Sequence, residues 1–398
     1  MKDKISQLVK ELKKDKSLRV KKSYYTFSQE YPAGNIPIKR RKNRRFRHGP
    51  AKAALTSLLA VSLVCVSFFL VSVALEISEK TPSEVNAPVT ETGESLLVTE
   101  GVRALYMPSE KIGDTSYIAS FIKEVRRKNC NSVVIDFKTA DGKLSYSSLN
   151  EYAIKGKCSV YDNDTVRRCI NLFKEKNISV IARVFCFEDN AVASTSSELA
   201  VKYMDTDVNW LDGSDENGGK AWLNPRIEES RSYLISVLSE LYALDIRGFI
   251  LESCSLPDTQ NTAAATYPAD KASLTKNEAL RDFVTKAREA IPKDAFILMG
   301  YTAETALNGN AKLFDGLFAD GDYDGYTADL SVRDPAYTVD KKSKFSSILS
   351  LFTLIENSNP DKKFIPVIDM SEYSSGYISA IKKSGYTSYI LFAENGEY

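Results

Sequence analysis

The fold class that the sequence predicts for residues 99–398 is a (β/α)₈ barrel, and three observations support it. From about Val102 onward, eight apolar runs of strand length alternate with longer helical patterns. Parallel neighbouring strands need such long crossovers, and about 250 residues are typical of eight βα units. The first strand leads into YMPSEK and not into a glycine-rich phosphate turn, which disfavours the main alternative, a doubly wound open sheet.

Eight predicted strands follow one another along this part of the chain. They are Val102–Met107, Ser132–Lys138, Ser179–Phe187, Gly248–Cys254, Ala295–Tyr301, Gly316–Ala319, Phe364–Met370 and Ser388–Phe392. The helical patterns between them are Thr115–Lys128, Thr165–Lys176, Glu228–Leu244, Lys276–Ile291, Ala303–Leu307, Lys344–Glu356 and Ser374–Lys383. Each pattern places its apolar residues on one stripe, as helices on a barrel do. No helix follows the eighth strand, so we expect Ser95–Glu100 to help close the barrel.

The charge distribution divides the chain into two parts. Residues 1–52 carry 17 Lys and Arg against 4 Asp and Glu, a balance of +13, whereas the remainder has a balance of −12. The separator, Ala53–Leu75, is 23 residues long and has no charge. About 20 apolar residues span a bilayer. The sequence therefore predicts one transmembrane helix. The split in charge indicates two compartments and argues against nucleic-acid binding by the basic residues.

The flanking charges predict the orientation of this segment. The run KRRKNRRFRHGPAK precedes it and Glu76 and Glu79 follow it, so the positive side is expected to be cytoplasmic. The alternative is a cleaved signal peptide, but the apolar run is long, starts late and shows no small-residue cleavage site. We expect a single-pass cell-membrane protein with a disordered basic cytoplasmic tail (1–52), a transmembrane helix (53–75), a linker (76–98) and an extracellular barrel (99–398).

Histidine and cysteine content limits the chemistry of the predicted barrel. The one histidine, His48, lies in the basic tail, which excludes a His-based triad or a His-rich metal site in residues 99–398. The five cysteines of the barrel have no paired spacing and resemble small buried hydrophobes. The aspartates of Gly321–Tyr337 are not spaced as a calcium loop. We therefore expect no metal and no cofactor.

Charged residues on the predicted strands mark a candidate site, because a barrel carries its chemistry at the carboxyl ends of its strands. Asp136 and Lys138 lie on the second strand, Arg183 on the third and Glu252 on the fourth. A carboxylate on the buried face of a strand is costly unless it is paired, hydrated or functional. The alternative for the first three is an internal ion-pair network that sets the register of the barrel.

Further candidates lie at or beyond the ends of other strands. The crossover from Glu188 to Pro225 is much longer than usual and holds Trp210, Trp222 and Asn224. An indole can pack on the apolar face of a sugar ring, although Trp222 could equally only pin the loop. The predicted substrate-binding set is Asp136, Lys138, Arg183, Trp222, Asn224, Tyr301 and Asp369.

Several segments of this sequence resemble a bacterial family of extracellular TIM-barrel glycoside hydrolases that is distantly similar to the α-amylase-like barrels. The resemblance covers Gly101 to Tyr398. SVVIDFK looks like the family's V-I-D-x-K strand, IARVFCFEDN like its I-A-R-x-x-x-F-x-D strand, and KAWLNP like its W-x-N-P segment. FIPVIDM and SYILFAENGEY look like its last two strands. The fourth strand departs from the usual F-D-Y-I-R-F-P, since it reads LESCSLP, and the sixth-strand P-M-x-Y-P is missing.

The resemblance implies a barrel that acts on the glycosidic bonds of a cell-surface or environmental polysaccharide. Such hydrolysis needs two carboxyl groups across the scissile bond. By amylase-like position, Glu252 would be the nucleophile or base and Glu304 the acid, with Asp189 and Asp369 in reserve. The altered fourth strand favours the alternative, a catalytically inactive barrel that binds wall glycan or a partner protein. The sequence thus leaves open whether the chain is an enzyme.

Overall fold

The computed structural model describes residues 95–214, 218–259, 261–269, 274–308, 311–314, 321–330, 345–370 and 375–398. They belong to one compact unit, Pro88–Tyr398. The predicted tail, the predicted membrane segment Ala53–Leu75 and nearly all of the linker lie outside them, so those three expectations stay predictions. Within the described ranges, no helix is both long and apolar enough to cross a membrane.

Eight parallel strands close into a barrel, which confirms the predicted fold class. The strands are β1 (Arg103–Met107), β2 (Ser132–Lys138), β3 (Ser179–Phe185), β4 (Gly248–Glu252), β5 (Phe296–Thr302), β6 (Gly325–Asp329), β7 (Lys363–Asp369) and β8 (Tyr389–Phe392). Each strand pairs with its neighbours in sequence, and β8 pairs with β1 to complete the ring. All eight carboxyl ends therefore lie at one mouth.

Helices fill the crossovers. They are α1 (Leu96–Thr99), α2 (Thr115–Arg127), α3 (Glu151–Lys155), α4 (Asn163–Lys174), α5 (Asn190–Thr195), α6 (Glu228–Ala243), α7 (Lys276–Ala290), α8 (Ala303–Asn308), α9 (Ala311–Phe314), α10 (Phe345–Ser358) and α11 (Ser375–Lys383). Side chains fix several helix starts: Asp114 accepts from Tyr117 N at α2, and Thr275 and Glu278 form a capping box at α7. Lys202–Tyr203 of the long β3–α6 crossover forms a short antiparallel pair with Ala265–Thr266 of the β4–α7 crossover.

The sixth strand corrects the sequence prediction. The predicted run, Gly316–Ala319, lies outside the described residues, and the barrel instead uses Gly325–Asp329, which the sequence placed in a polar loop. The hydroxyl of Tyr326 on β6 is satisfied inside the fold, because it donates to Ile355 O at 2.9 Å. A Cβ at residue 325 would overlap the Lys363 carbonyl oxygen, so glycine permits the close approach of β7. Hydrogen bonding and close packing thus stabilise β6, which lacks the run of apolar residues that the sequence prediction looked for.

Two apolar layers hold the barrel together. The outer layer lies between the strands and the helices, and it includes Phe121 of α2 and Phe283 of α7. The inner layer fills the barrel with alternate residues of the strands, such as Val134, Ile250 and Leu298. Leu97 of α1 is buried in this inner layer, so the residues just before β1 cover the end of the barrel opposite the mouth, as expected.

The segment after β8 is tied back to the barrel. Tyr398 Oη donates to the carbonyl oxygens of Tyr106 at 2.6 Å and Leu391 at 3.0 Å. Gly396 adopts φ 69°, and a Cβ there would overlap the Tyr117 hydroxyl and Pro108. This turn carries residues 393–397 over one side of the mouth. The five cysteines of the described residues are free thiols.

Candidate active site

A cavity of about 1330 Å³ opens at the carboxyl ends of the strands. Its floor is made by inward-pointing residues of β1, β2, β3 and β4, and its walls by the loops after β4, β5 and β8. Ligand and active sites of (β/α)₈ barrels lie at this end. The cavity is therefore the candidate active site.

Asp136 and Arg183 form a mostly buried ion pair on the cavity floor. The strands place them side by side, since Asp136 of β2 is in register with Arg183 of β3. Arg183 Nε and Nη2 donate to the two carboxylate oxygens of Asp136 at 2.5 and 2.9 Å. Tyr106 Oη of β1 also donates to Asp136, at 3.0 Å. The carboxylate is thus held on two sides in a fixed orientation.

Three aromatic rings surround the Arg183 guanidinium. The rings of Tyr106, Phe185 and Phe392 have their centroids at 5.1, 5.3 and 5.3 Å from its central carbon. Such contacts stabilise a cation that has lost water. Burial alone would lower the pKa of Arg183, but the charge of Asp136 and its hydrogen bonds raise it above its ordinary value. Arg183 is therefore a permanent positive charge at the floor of the cavity.

Glu252 projects into the cavity from the last position of β4. Its carboxyl group packs against the Cα of Gly300 on β5, where a Cβ would overlap the carboxylate oxygens. Burial raises the pKa of Glu252 to about 7, and the negative charges of Asp329, Asp136 and Glu188 add to that rise, while Arg183 opposes it. At neutral pH the group is therefore divided between its acid and its carboxylate forms.

The backbone beside Glu252 is strained. Ser253 has φ 47°, a left-handed conformation that non-glycine residues adopt rarely. The Ser253 hydroxyl donates to Glu188 Oε2 at 2.8 Å, and its carbonyl accepts from Phe187 N at 3.1 Å. These bonds hold the chain where it leaves β4, and they fix the direction in which Glu252 points. Strain of this kind tends to occur at functional positions.

A second strand carboxylate, Asp329, ends β6. Among the like charges that raise the pKa of Glu252, that of Asp329 has the largest effect. On the strand between them, β5, Gly300 lies against Glu252 and Thr302 is in register with Asp329, so Asp329 lies one inward-facing position nearer the rim than Glu252. The sequence prediction missed Asp329 as a site residue, because it placed the sixth strand too early in the chain.

Most of the predicted site residues line the cavity. Besides the floor residues, Glu304 of α8 lies at its exposed rim, and Tyr301, Asp369 and Trp222 lie in its walls. Trp222 is only 7 % exposed, and its indole N–H donates to Asp212 Oδ2 at 3.1 Å. It thus pins the β3–α6 crossover and also presents part of its ring to the cavity. Tyr106 of β1 also lines the cavity, although the sequence prediction did not include it. Side-chain alternation along β1 could have indicated it, because Tyr106 faces the same side of the strand as Ala104.

Lys138 and Asp189 are corrections to the predicted set. Neither side chain has any solvent exposure, and Lys138 Nζ lies 2.9 Å from Asp189 Oδ2. A bulge after Asp136 shifts the register, so Lys138 turns to the outside of the barrel while Asp136 stays inside. Asp189 caps α5 by accepting from Val192 N and also accepts from Tyr233 Oη. This pair is structural, and the cavity lining does not include it.

Asn224 is also placed away from the cavity. Its side chain is fully buried, and its amide donates to Pro268 O at 2.8 Å while its oxygen accepts from Arg226 N. Asn224 therefore shapes the turn before α6. Trp210, the other tryptophan of this crossover, is buried too and donates to Asn261 O at 2.9 Å.

The sequence match identifies the family. Residues 104–304 match the family described as "Putative glycosyl hydrolase domain", and this span is half of the chain, so the chain belongs to that family. The matched region runs from β1 into α8 and includes Asp136, Arg183 and Glu252. Among curated proteins, none matches the sequence of this chain.

Three solved structures are similar to part of this chain. A hypothetical protein from Ruminiclostridium thermocellum is 24% identical with a TM-score of 0.43, and the match covers 49% of this chain and 96% of that one. An exo-β-N-acetylglucosaminidase from Vibrio harveyi is 13% identical, at 0.44, with 68% and 41% covered. A cycloisomaltooligosaccharide glucanotransferase from Paenibacillus sp. is 11% identical, at 0.42, with 67% and 38% covered. The chain spans less than half the length of the last two.

Proposed function

We propose that this chain hydrolyses glycosidic bonds, with Glu252 as the general acid and Asp329 as the second carboxyl group. The observation that carries the proposal is the placement of two carboxyl groups on strand ends of one barrel mouth, where burial and then the charge of Asp329 favour a proton on Glu252. Membership of the glycosyl hydrolase family supports the same reaction class.

The acid role follows from the protonation of Glu252. A general acid must hold a proton at the working pH and release it to the leaving oxygen, which favours a pKa near neutrality. Burial gives Glu252 a pKa of about 7, and the group faces the cavity. This assignment replaces the sequence-based one, in which Glu304 was the acid and Glu252 the nucleophile or base. Glu304 is exposed on α8 at the rim of the cavity, where it would contact the substrate and not donate the proton.

Asp329 supplies the opposite role in this scheme. Glycoside hydrolysis passes through a positively charged, oxocarbenium-like transition state, which a nearby carboxylate stabilises as nucleophile or as base for a water molecule. Asp329 reaches the cavity from β6, where it is in register with Thr302 of β5. The two groups thus approach a sugar from different walls of the cavity.

The ion pair on the floor acts as a positioning group. Asp136 is fully engaged by Arg183 and Tyr106, and it stays in place without substrate. Arg183 opposes the rise in the pKa of Glu252, so it keeps that group from becoming too weak an acid. Phe392 and Trp222 offer ring surface beside these charges, on which a sugar ring could pack.

We also propose that a membrane anchor holds the barrel outside the cell. The uncharged segment Ala53–Leu75 and the basic residues before it support this topology. The barrel would then meet cell-surface or environmental polysaccharide.

Sugar release by the purified chain from a panel of wall and plant polysaccharides tests the reaction. Release by the wild type, and at least about 100-fold slower release by Glu252→Gln, is expected, since general acid catalysis contributes on the order of 100- to 10,000-fold. Equal binding by both proteins with no release by either would instead support a glycan-binding barrel. The altered fourth strand, LESCSLP, is the observation that favours that second function.

A further inference from the structure

The cavity has an uneven balance of charge. Besides Asp136 and Glu252, six carboxylates line it: Asp258, Glu304, Asp329, Asp369, Glu394 and Glu397. Of the described residues that line it, Arg183 is the one basic residue, and it is already bound to Asp136. Asp329 and Asp369 make contacts of their own, so the negative charge that a substrate meets comes mainly from the other four carboxylates of this set.

These carboxylates are distributed over the whole mouth. Asp258 follows β4, Glu304 follows β5, and Glu394 and Glu397 follow β8, and all four are exposed. Within the described residues, no group of three or more acidic, cysteine or histidine side chains is arranged to hold a metal ion. The pattern suits a long ligand with several separated positive charges better than one bound ion.

The remaining loop residues do not reverse this balance. The gaps between the described ranges, from residue 215 to residue 374, contain eight Asp and Glu against five Lys and Arg. Even if only the five Lys and Arg of these gaps faced the cavity, six basic residues would stand against the eight acidic ones that line it. Lys and Arg are by contrast frequent on the outer helices α2 and α4.

We propose that the glycan bound in this cavity carries free amino groups, so that its sugars are protonated amino sugars without N-acetyl caps. This inference rests on the proposed glycan-binding role of the cavity and names its substrate class. Negative walls around a partly desolvated cavity raise the local concentration of cations and repel anions. An acidic polysaccharide, such as one built of uronic acids, would meet repulsion at every position of the mouth.

The ring surfaces favour a sugar over a peptide of the same charge. Phe392 is half-buried beside Tyr106, with ring centroids 4.6 Å apart, and Phe185 and Tyr301 add further ring surface to the cavity. The cavity thus combines apolar ring surface, which lies around Arg183 on its floor, with exposed carboxylates at its mouth. An amino sugar matches this combination, because it has an apolar ring face and an ammonium group on its edge. A lysine side chain offers the charge without that face.

Binding can be measured apart from hydrolysis. The probes are a glucosamine hexamer, its N-acetylated counterpart, a galacturonate hexamer and a lysine pentamer, titrated by calorimetry at pH 6 and low salt. The protein is the full-length Glu252→Gln chain in a non-ionic detergent without a sugar headgroup. The glucosamine hexamer is expected to bind at least about tenfold more tightly than the N-acetylated hexamer, and salt should reduce this difference.

Variants locate the binding charges. Asp258→Asn and Glu394→Gln, each in the Glu252→Gln chain, should weaken binding of the glucosamine hexamer about two- to fivefold, the usual effect of one exposed charge. Glu289→Gln, an exposed residue on the outer helix α7, is the matched control and should leave binding unchanged.

The outcomes separate the two proposals. Tight binding of the amino sugar together with no hydrolysis by the wild type would support the substrate class and refute the reaction. Equal or tighter binding of the N-acetylated or uronate hexamer, absence of amino-sugar binding, or equally tight binding of the lysine pentamer would each overturn the substrate class.

Discussion

At the scale of single residues, Glu252 couples the site to the stability of the barrel. Between its ordinary value near 4.5 and its raised pKa of about 7, the folded chain holds a proton that the unfolded chain has lost. Stability therefore falls as the pH rises through this window, because the unfolded state binds fewer protons there. The contribution is complete below pH 4.5 and lost above pH 7.

Glu252→Gln should remove this pH dependence, since glutamine stays neutral. We expect the variant to be more stable than the wild type at pH 8 by up to about 3 kcal/mol and nearly equal to it at pH 4.5. Urea unfolding at the two pH values measures the difference, with Glu289→Gln as the control for a lost surface charge. A difference of the same size at both pH values would show that Glu252 is not buried as described.

Gly300 tests the packing around the same carboxyl group. Gly300→Ala should destabilise the barrel by about 1–3 kcal/mol, the usual cost of overpacking, because the new methyl group overlaps the carboxylate of Glu252. The cost should fall when Glu252→Ala is added, since the smaller side chain leaves room. A double-mutant cycle in urea measures this coupling. Additive costs would mean that residues 252 and 300 do not touch.

At the scale of elements, the buried pair Lys138–Asp189 joins the end of β2 to the start of α5. Lys138→Met should cost about 3–5 kcal/mol, because it leaves the Asp189 carboxylate buried without its cation. Lys155→Met, which removes an exposed pair with Glu198 at 3.6 Å, should cost less than about 1 kcal/mol. Thermal or urea unfolding compares them, and equal costs would contradict the structural role of the buried pair.

The sequence predicted most elements of the barrel to within two residues at each end. Strands such as β2 are buried throughout, and helices such as α2 have one apolar stripe, so local patterns carry these predictions. The predicted position of the sixth strand was wrong, because a tertiary hydrogen bond satisfies the Tyr326 hydroxyl of β6 and no local sequence pattern reveals such a bond. Lys138 was assigned to the cavity because simple alternation along β2 ignores the bulge.

The candidate site was predictable in part. Alternation along β3 and β4 placed Arg183 and Glu252 inside, and the structure finds both in the cavity. The protonation of Glu252 was not predictable, because it depends on burial and on charges from β2 and β6 that meet only in the closed barrel. Asp329 was not predicted as a site residue, because the sixth strand that carries it was predicted too early in the chain.

At the scale of the whole molecule, the charge asymmetry predicts a membrane-anchored barrel outside the cell. Deletion of residues 53–75 should move the protein from the membrane fraction to the soluble one, because the deletion removes the uncharged segment. Protease added to intact cells should digest the barrel of the undeleted chain. A barrel that is digested only after cell lysis would contradict the predicted orientation.

A change of leaving group distinguishes the role of Glu252 as the acid from that of Asp329 as the second carboxyl group. A dinitrophenyl glycoside needs no proton to leave, whereas a glycan does. For the sugar that the polysaccharide panel identifies, Glu252→Gln should lose at least about 100-fold in rate on the glycan but stay close to wild type on the dinitrophenyl glycoside, while Asp329→Asn should lose activity on both. Equal losses on both substrates for Glu252→Gln, or full activity of Asp329→Asn, would contradict these roles.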